Sequence, residues 1–170
     1  MTSPPPLVSF VGPSGAGKTT LLEGLVREML RRGRRVACLK HSHHRDLLPD
    51  ASGSDTHRLT QAGAAVTGLS APGLLCLWRT DGGEWPLPSL ATLAGEAVDL
   101  VLTEGYGGGP APKVLVLGPG QSPPELPPDL LAVVGPCPPG WKGPLFAPDQ
   151  VRELADLLEE RLGLGSGERA

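Results

Sequence analysis

Gly12-Pro13-Ser14-Gly15-Ala16-Gly17-Lys18-Thr19, followed by Thr20, fits the pattern G-x-x-x-x-G-K-[ST] at every required position. The chemistry this suits is the holding of a polyphosphate. Glycines let backbone N–H groups turn inward around phosphate oxygens, the Lys18 ammonium reaches the outer phosphates, and the Thr19 hydroxyl is an oxygen ligand for Mg²⁺. A glycine-rich turn that merely joins two elements is the plainer reading. The context decides between them: the apolar run Leu7–Val11 precedes the loop and a helical pattern follows it, as a nucleotide site of this kind requires. The motif is silent about the base.

Two further groups of residues carry chemistry. Asp99 and Glu104 bracket the apolar run Leu100-Val101-Leu102-Thr103. At ~3.3 Å per residue in a strand their carboxylates stand about 16 Å apart, so one site cannot use both. Ligands of open parallel sheets bind at the carboxyl ends of strands, which selects Glu104 as the candidate to hold Mg²⁺ or to orient attacking water, and leaves Asp99 a structural role. The second group is Lys40-His41-Ser42-His43-His44, with Asp46, Asp50 and Asp55 in the stretch beyond. Imidazole and carboxylate suit zinc or nickel, although no fixed metal-ligand spacing is present. The same side chains suit contacts to phosphates or to a second substrate, or simple solvation.

These groups must be positioned by an alternation of short apolar runs and helical patterns, the mark of an α/β fold with a mostly parallel sheet flanked by helices. Strands are expected near Leu7–Val11, Arg35–Lys40, Ala64–Ser70, Leu74–Thr80, Asp99–Thr103, Lys113–Leu117 and Leu131–Val134. The second of these is expected beside the strand that carries the phosphate loop. Leu22, Leu25, Val26, Met29 and Leu30 recur at helical spacing in the first helix, which Gly33 can end. A second helix is expected from Ser54 to Gly63 and a last one over Pro148–Leu162. Only Ala71-Pro72-Gly73 separates two of the strands, too short for a crossover, so they form an antiparallel hairpin. Eleven of the twenty prolines lie from Pro110 to Pro144, stiffening the loops around two short strands.

Composition narrows the partners. With 170 residues the chain is expected to be a single nucleotide-binding domain, with residues 1–6 and 163–170 flexible at its ends. A net charge of −3 offers no electrostatic footprint for nucleic acid or an anionic membrane. No leader pattern is visible and no stretch nears the ~18 apolar residues of a membrane span, so a cytoplasmic location is expected. The three cysteines, Cys38, Cys76 and Cys137, are dispersed and are expected to be buried thiols. Arginine is absent between Arg79 and Arg152, which argues against a free-standing kinase with a cationic lid. Asparagine is absent altogether, so the N-K-x-D pattern for guanine is missing and the motifs leave GTP and ATP open.

Three segments together resemble one family, molybdopterin-guanine dinucleotide biosynthesis protein B: GPSGAGKTTLLEGLVREMLRRG, KHSHHRDLLPDASGSDTHRLTQAGA and DLVLTEGYGGGPAPKV. The second is the most discriminating, through Lys40, His41, His43, His44, Gly53, Asp55, Thr56 and Ala62-Gly63-Ala64. The third carries Glu104-Gly105 and the pair Pro112-Lys113. Ser52 and Ser54 depart from the family pattern, and the acidic loop is one residue longer, which bears on Asp46 and Asp50. The resemblance implies a P-loop NTPase fold that binds GTP and Mg²⁺, has weak GTPase activity, and forms a homodimer. It further implies an accessory that assists the molybdenum cofactor guanylyltransferase in attaching GMP to molybdopterin, with Lys40, His41, His43, His44, Asp50 and Asp55 facing the partner or second substrate. A metallochaperone GTPase using the histidine loop for nickel or zinc is the competing expectation, and a nucleotide-gated adaptor is the non-enzymatic one.

Overall fold

The computed structural model describes residues 4–42, 50–80, 83–95, 98–123 and 125–165. His43, His44 and Asp46 lie outside them. The chain divides into two compact units, one made of Met1–His41 with Pro86–Ala170 and the other of Ser42–Trp85.

The larger unit is built on a six-stranded sheet in the order β2-β5-β1-β6-β7-β8, with every pairing parallel. Its strands are β1 (Leu7–Val11), β2 (Val36–Lys40), β5 (Leu100–Glu104), β6 (Lys113–Val116), β7 (Leu130–Val134) and β8 (Leu145–Phe146). Valine and leucine dominate them because both faces are covered. On one face Val8, Phe10, Leu100, Leu102, Val114, Val116, Ala132 and Val134 pack against α1 (Lys18–Arg31) and α4 (Val151–Leu162). The alternate residues Val11, Leu115, Leu117 and Val133 face the other way, toward Leu126, Leu130 and Trp141. Ser9 and Thr103 share that second face in register. Their fully buried hydroxyls satisfy each other at 2.9 Å. α3 (Leu87–Ala94) buries Leu87 and Ala91.

A cluster of charges closes the far ends of α1 and α4. Arg32 donates to Glu28 at 2.8 Å, to Asp156 at 2.7 Å and to Glu159 at 2.8 Å, while Arg34 donates to Glu159 at 2.9 Å. Hydrogen bonds from Arg31 and then Arg32 hold the Glu28 carboxyl down to about 2.

In the smaller unit α2 (Asp55–Gln61) precedes a hairpin of β3 (Val66–Ala71) and β4 (Leu74–Arg79), antiparallel as their spacing demands. Pro72 and Gly73 make the turn, with Gly73 at φ +75°.

Several expectations need correction. β5, not β2, lies next to β1 on that side of the sheet. The strand whose residues 100–103 are all buried takes the interior position, and partly exposed β2 takes the edge. In α1 the buried stripe runs through Leu21, Leu22, Leu25 and Met29, and Leu30 is 57% exposed. The last helix begins at Val151, not Pro148. Gln150 forms a tight turn first, donating its N–H to the Ala147 carbonyl and accepting the Ala147 N–H on its side chain. Cys38 and Cys137 are exposed, Cys38 because its strand has a neighbour on one side only. Among the described residues no helix is long and apolar enough to cross a membrane.

Candidate nucleotide site

β1 runs out of the sheet into the phosphate loop, and the geometry explains the glycines. Gly12 sits at φ +141°, where an added Cβ would stand 2.1 Å from the Val116 carbonyl oxygen of β6. Only a residue without a side chain leaves the strand there. Gly17 is the N-cap of α1 at φ +90° with no side-chain cap, so the first N–H groups of the helix, those of Lys18, Thr19 and Thr20, have no intrahelical acceptor. Together with the helix dipole they make an anion cradle. Lys18 folds back across the loop, its ammonium donating to the carbonyls of Gly12 at 2.9 Å and Pro13 at 2.6 Å. Ser14 and Gly15 are exposed at the tip, with Ala16 partly buried behind them.

The parallel register sets the acid. Phe10 is paired with Glu104, and Glu104 in turn with Lys40 of β2. The Thr19 hydroxyl therefore donates to Glu104 Oε2 at 2.8 Å, and the Lys40 ammonium lies 3.4 Å from Oε1. A hydroxyl and a carboxylate converging at the mouth of a phosphate cradle are the hard oxygen donors Mg²⁺ prefers, and they fit it. Asp99, at the other end of β5, accepts the Arg35 backbone N–H at 2.8 Å and pairs with its guanidinium at 3.1 Å.

His41 follows β2 and donates its N–H to the Glu104 carbonyl at 3.0 Å. Its ring lies 4.7 Å from that of Tyr106, which adopts a left-handed φ of +58°, uncommon for a residue with a side chain. Gly105 between them is at φ +99°, and a Cβ on it would meet that of His41 at 3.0 Å. The turn after β5 is thus shaped against His41. Sequence reasoning overlooked Tyr106 altogether, because an exposed-looking tyrosine in a glycine run carries no signal of its own.

It also gave no function to Lys113 or Gln121. Lys113 is completely buried, and its ammonium donates to the carbonyls of Gly109 and Ala111 at 2.9 Å each. A buried ammonium is costly unless so satisfied, and here it ties down the loop that carries Tyr106. Gln121 accepts the Gly118 N–H at 2.8 Å and donates to the Ser14 carbonyl at 3.2 Å, joining the loop after β6 to the phosphate loop.

Within the smaller unit, Asp50 accepts hydrogen bonds from the hydroxyls of Thr56 and Ser54 and from the Ala51 N–H, which lower its pKa. Those bonds organise the start of α2. Asp55 is exposed in the first turn of that helix beside Arg58, at 3.7 Å. Among the described residues no group of three His, Cys, Asp or Glu side chains is arranged to hold a metal.

Residues 7–135 match the family model for molybdopterin guanine dinucleotide synthesis protein B. The chain belongs to that family. It is 35% identical to the molybdopterin-guanine dinucleotide biosynthesis adapter protein of Haemophilus influenzae, an alignment that covers 92% of this chain and 89% of that protein. The Escherichia coli protein of the same name is also 35% identical, with 91% and 92% covered. The crystal structure of MobB from Bacillus subtilis superposes with a TM-score of 0.73 at 28% identity, covering 96% of this chain and 99% of that one. The phosphate loop, the Glu104-Gly105 turn and Lys113 all fall inside the matched region of this MobB-family chain.

Proposed function

We propose that this chain is a GTP-binding adapter in the biosynthesis of molybdopterin guanine dinucleotide, acting with a guanylyltransferase and hydrolysing GTP slowly. The observation that carries the reading is the convergence of Thr19 and Glu104, 2.8 Å apart, at the mouth of the anion cradle formed by Gly12–Thr20. The adapter role is taken from the relatives, whose names describe that pathway.

The cradle's N–H groups and Lys18 bind and orient the phosphates. Thr19 and Glu104 would hold Mg²⁺, which would supply neutralisation of the phosphate charge. The Glu104 carboxylate is also an acceptor able to orient a water toward the terminal phosphate. The stretch between Arg79 and Arg152, which carries Glu104, holds no arginine to serve as a lid cation, in keeping with slow turnover. Lys40 and His41, beside Glu104, are assigned to the partner or pterin side, together with His43, His44, Asp50 and Asp55. The hairpin supports the homodimer, since Val66, Leu69, Leu74, Leu75 and Leu77 are all more than 40% exposed on it.

The test is reconstitution: purified chain, guanylyltransferase, molybdopterin, Mg²⁺ and GTP, with product dinucleotide measured with and without the chain. Co-purification of the transferase that strengthens with GTP and Mg²⁺ is the expected companion result. No effect of the chain on product, and no association, would sink the reading.

A further inference from the structure

An anion cradle works only if its peptide N–H groups face inward, and one peptide at the tip of the phosphate loop has little of its own to hold it. Ser14 and Gly15 are both exposed, and Gly15 sits at φ +73° with no side chain to restrain its backbone. Within the loop, the Ala16 N–H reaches the Pro13 carbonyl at 3.4 Å, and Lys18 holds the carbonyls of Gly12 and Pro13. The Ser14 carbonyl is held from another part of the chain, by the side-chain NH₂ of Gln121 at 3.2 Å. A trans peptide is planar, with its C=O and N–H on opposite edges. Drawing the Ser14 carbonyl toward Gln121 therefore turns the Gly15 N–H the other way.

Gln121 is itself fixed at three points. Gly118-Pro119-Gly120-Gln121 is a tight turn in which the Gln121 N–H donates to the Gly118 carbonyl at 3.1 Å. Proline in its second position and Gly120 at φ +72° in its third are what a type II turn requires. The side-chain oxygen of Gln121 accepts the Gly118 N–H at 2.8 Å, which leaves the NH₂ for Ser14. The reverse orientation of the amide would set donor against donor at Gly118 and acceptor against acceptor at Ser14. The turn starts from the sheet interior, since Leu117 is buried and donates its N–H to the Val134 carbonyl at 2.9 Å. Gly118 also lies close to the loop: a Cβ added there would stand 3.7 Å from the Ala16 Cα.

We propose that Gln121 is a positioning residue for phosphate binding: by fixing the Ser14–Gly15 peptide it turns the Gly15 N–H toward the phosphate oxygens, a role that rests on the phosphate-loop reading above. Gln121 touches no phosphate and acts through that peptide. With the peptide reversed, a carbonyl oxygen would face the anion where a donor is needed, and the cradle would lose one N–H and gain a repulsive dipole.

Calorimetric titration with GTP and with inorganic tripolyphosphate, each with Mg²⁺, tests it on wild type, Gln121→Met and Gln121→Glu, with the Gly15 amide followed by NMR in isotope-labelled protein. Methionine matches glutamine in length and has neither amide group. Glutamate keeps the oxygen that Gly118 needs and loses the donor to Ser14, so it carries the test should Gln121→Met fail to fold. Its added charge is screened by working at about 0.5 M salt. In wild type the Gly15 amide proton is expected to move downfield as either polyphosphate saturates. Both variants are expected to bind about tenfold more weakly, the low end for one hydrogen bond to a charged group, and to lose most of that Gly15 response. Their thermal midpoints should stay within about 3 °C of wild type, because the Ser14 carbonyl is exposed and water can replace the lost donor. Wild-type affinity in the variants, or a Gly15 amide that responds in them as in wild type, overturns the role of Gln121 and leaves the phosphate loop standing. Failure of wild type to bind either polyphosphate overturns the phosphate-loop reading and this role with it.

Discussion

Thr19 and Glu104, 85 residues apart in the chain, are joined by a hydrogen bond of 2.8 Å from the hydroxyl to the carboxylate. The contact exists because β5 runs parallel to β1 with Glu104 opposite Phe10. Glu104→Gln keeps the size and an acceptor oxygen but removes the charge. Turnover is expected to fall about 100-fold, the scale of losing one preorganised polar group, with GTP still bound. Asp99→Asn at the opposite end of the same strand should leave turnover unchanged. Steady-state phosphate release on both variants decides it, and the reverse ranking would mean Glu104 has no part in the chemistry.

Lys18 already lies over the loop, bonded to the Gly12 and Pro13 carbonyls. A hydrogen bond to a charged group is worth about 1.5–3 kcal/mol, so Lys18→Ala should raise the GTP Kd by about 10- to 150-fold. Its circular dichroism should match wild type, since no core contact is lost. Unchanged affinity in fluorescence titration with labelled GTP would refute the assignment.

His41 packs on Tyr106 and bonds the Glu104 backbone, next to the proposed catalytic carboxylate. His41→Ala is expected to reduce dinucleotide formation in the reconstituted assay while the metal content of the purified protein, read by mass spectrometry, stays the same. Activity that instead tracked added nickel would favour the metallochaperone.

Lys113→Met removes a buried ammonium and leaves two carbonyls, those of Gly109 and Ala111, without their donor. Stranding such groups costs about 1–3 kcal/mol, partly offset because the charge itself no longer has to be desolvated. Urea unfolding should report a net loss. A variant more stable than wild type would show that the charge costs more than its bonds return.

Acid should weaken the clamp between α1 and α4. The Glu28 pKa is lowered from 4.5 to about 2 in the folded chain, so the unfolded chain binds the proton more readily. Its stabilising contribution is complete above pH 4.5 and is lost as pH falls toward 2. Glu159 shifts the same way, Arg32 and Arg34 outweighing its burial. Thermal unfolding followed over that pH window should show a falling midpoint, and Glu28→Gln should start lower and fall less steeply. Parallel curves for the two proteins would contradict it.

Local information sufficed wherever one segment carries its own physics. The phosphate loop, the helix after it and the Pro72-Gly73 hairpin were legible because glycine positions, helical spacing and loop length act within about twenty residues. The choice of Glu104 over Asp99 followed from strand length and from the rule that ligands sit at carboxyl ends. The family resemblance came from three short segments, those that begin at Gly12, Lys40 and Asp99. Strand order was not legible, because parallel neighbours are chosen by which apolar run can be covered on both faces, and that depends on all the others. Hence β5 took the place expected of β2. Leu87–Ala94 was not among the expected helices; Pro86 and Pro88 stand at its start, where proline is tolerated. The two-residue β8 is too short to carry a periodicity at all. Lys113, Tyr106 and Gln121 acquire meaning only when the chain closes: a buried ammonium, a ring packed at a tilt on His41 and a bridging amide are defined by partners that folding brings to them.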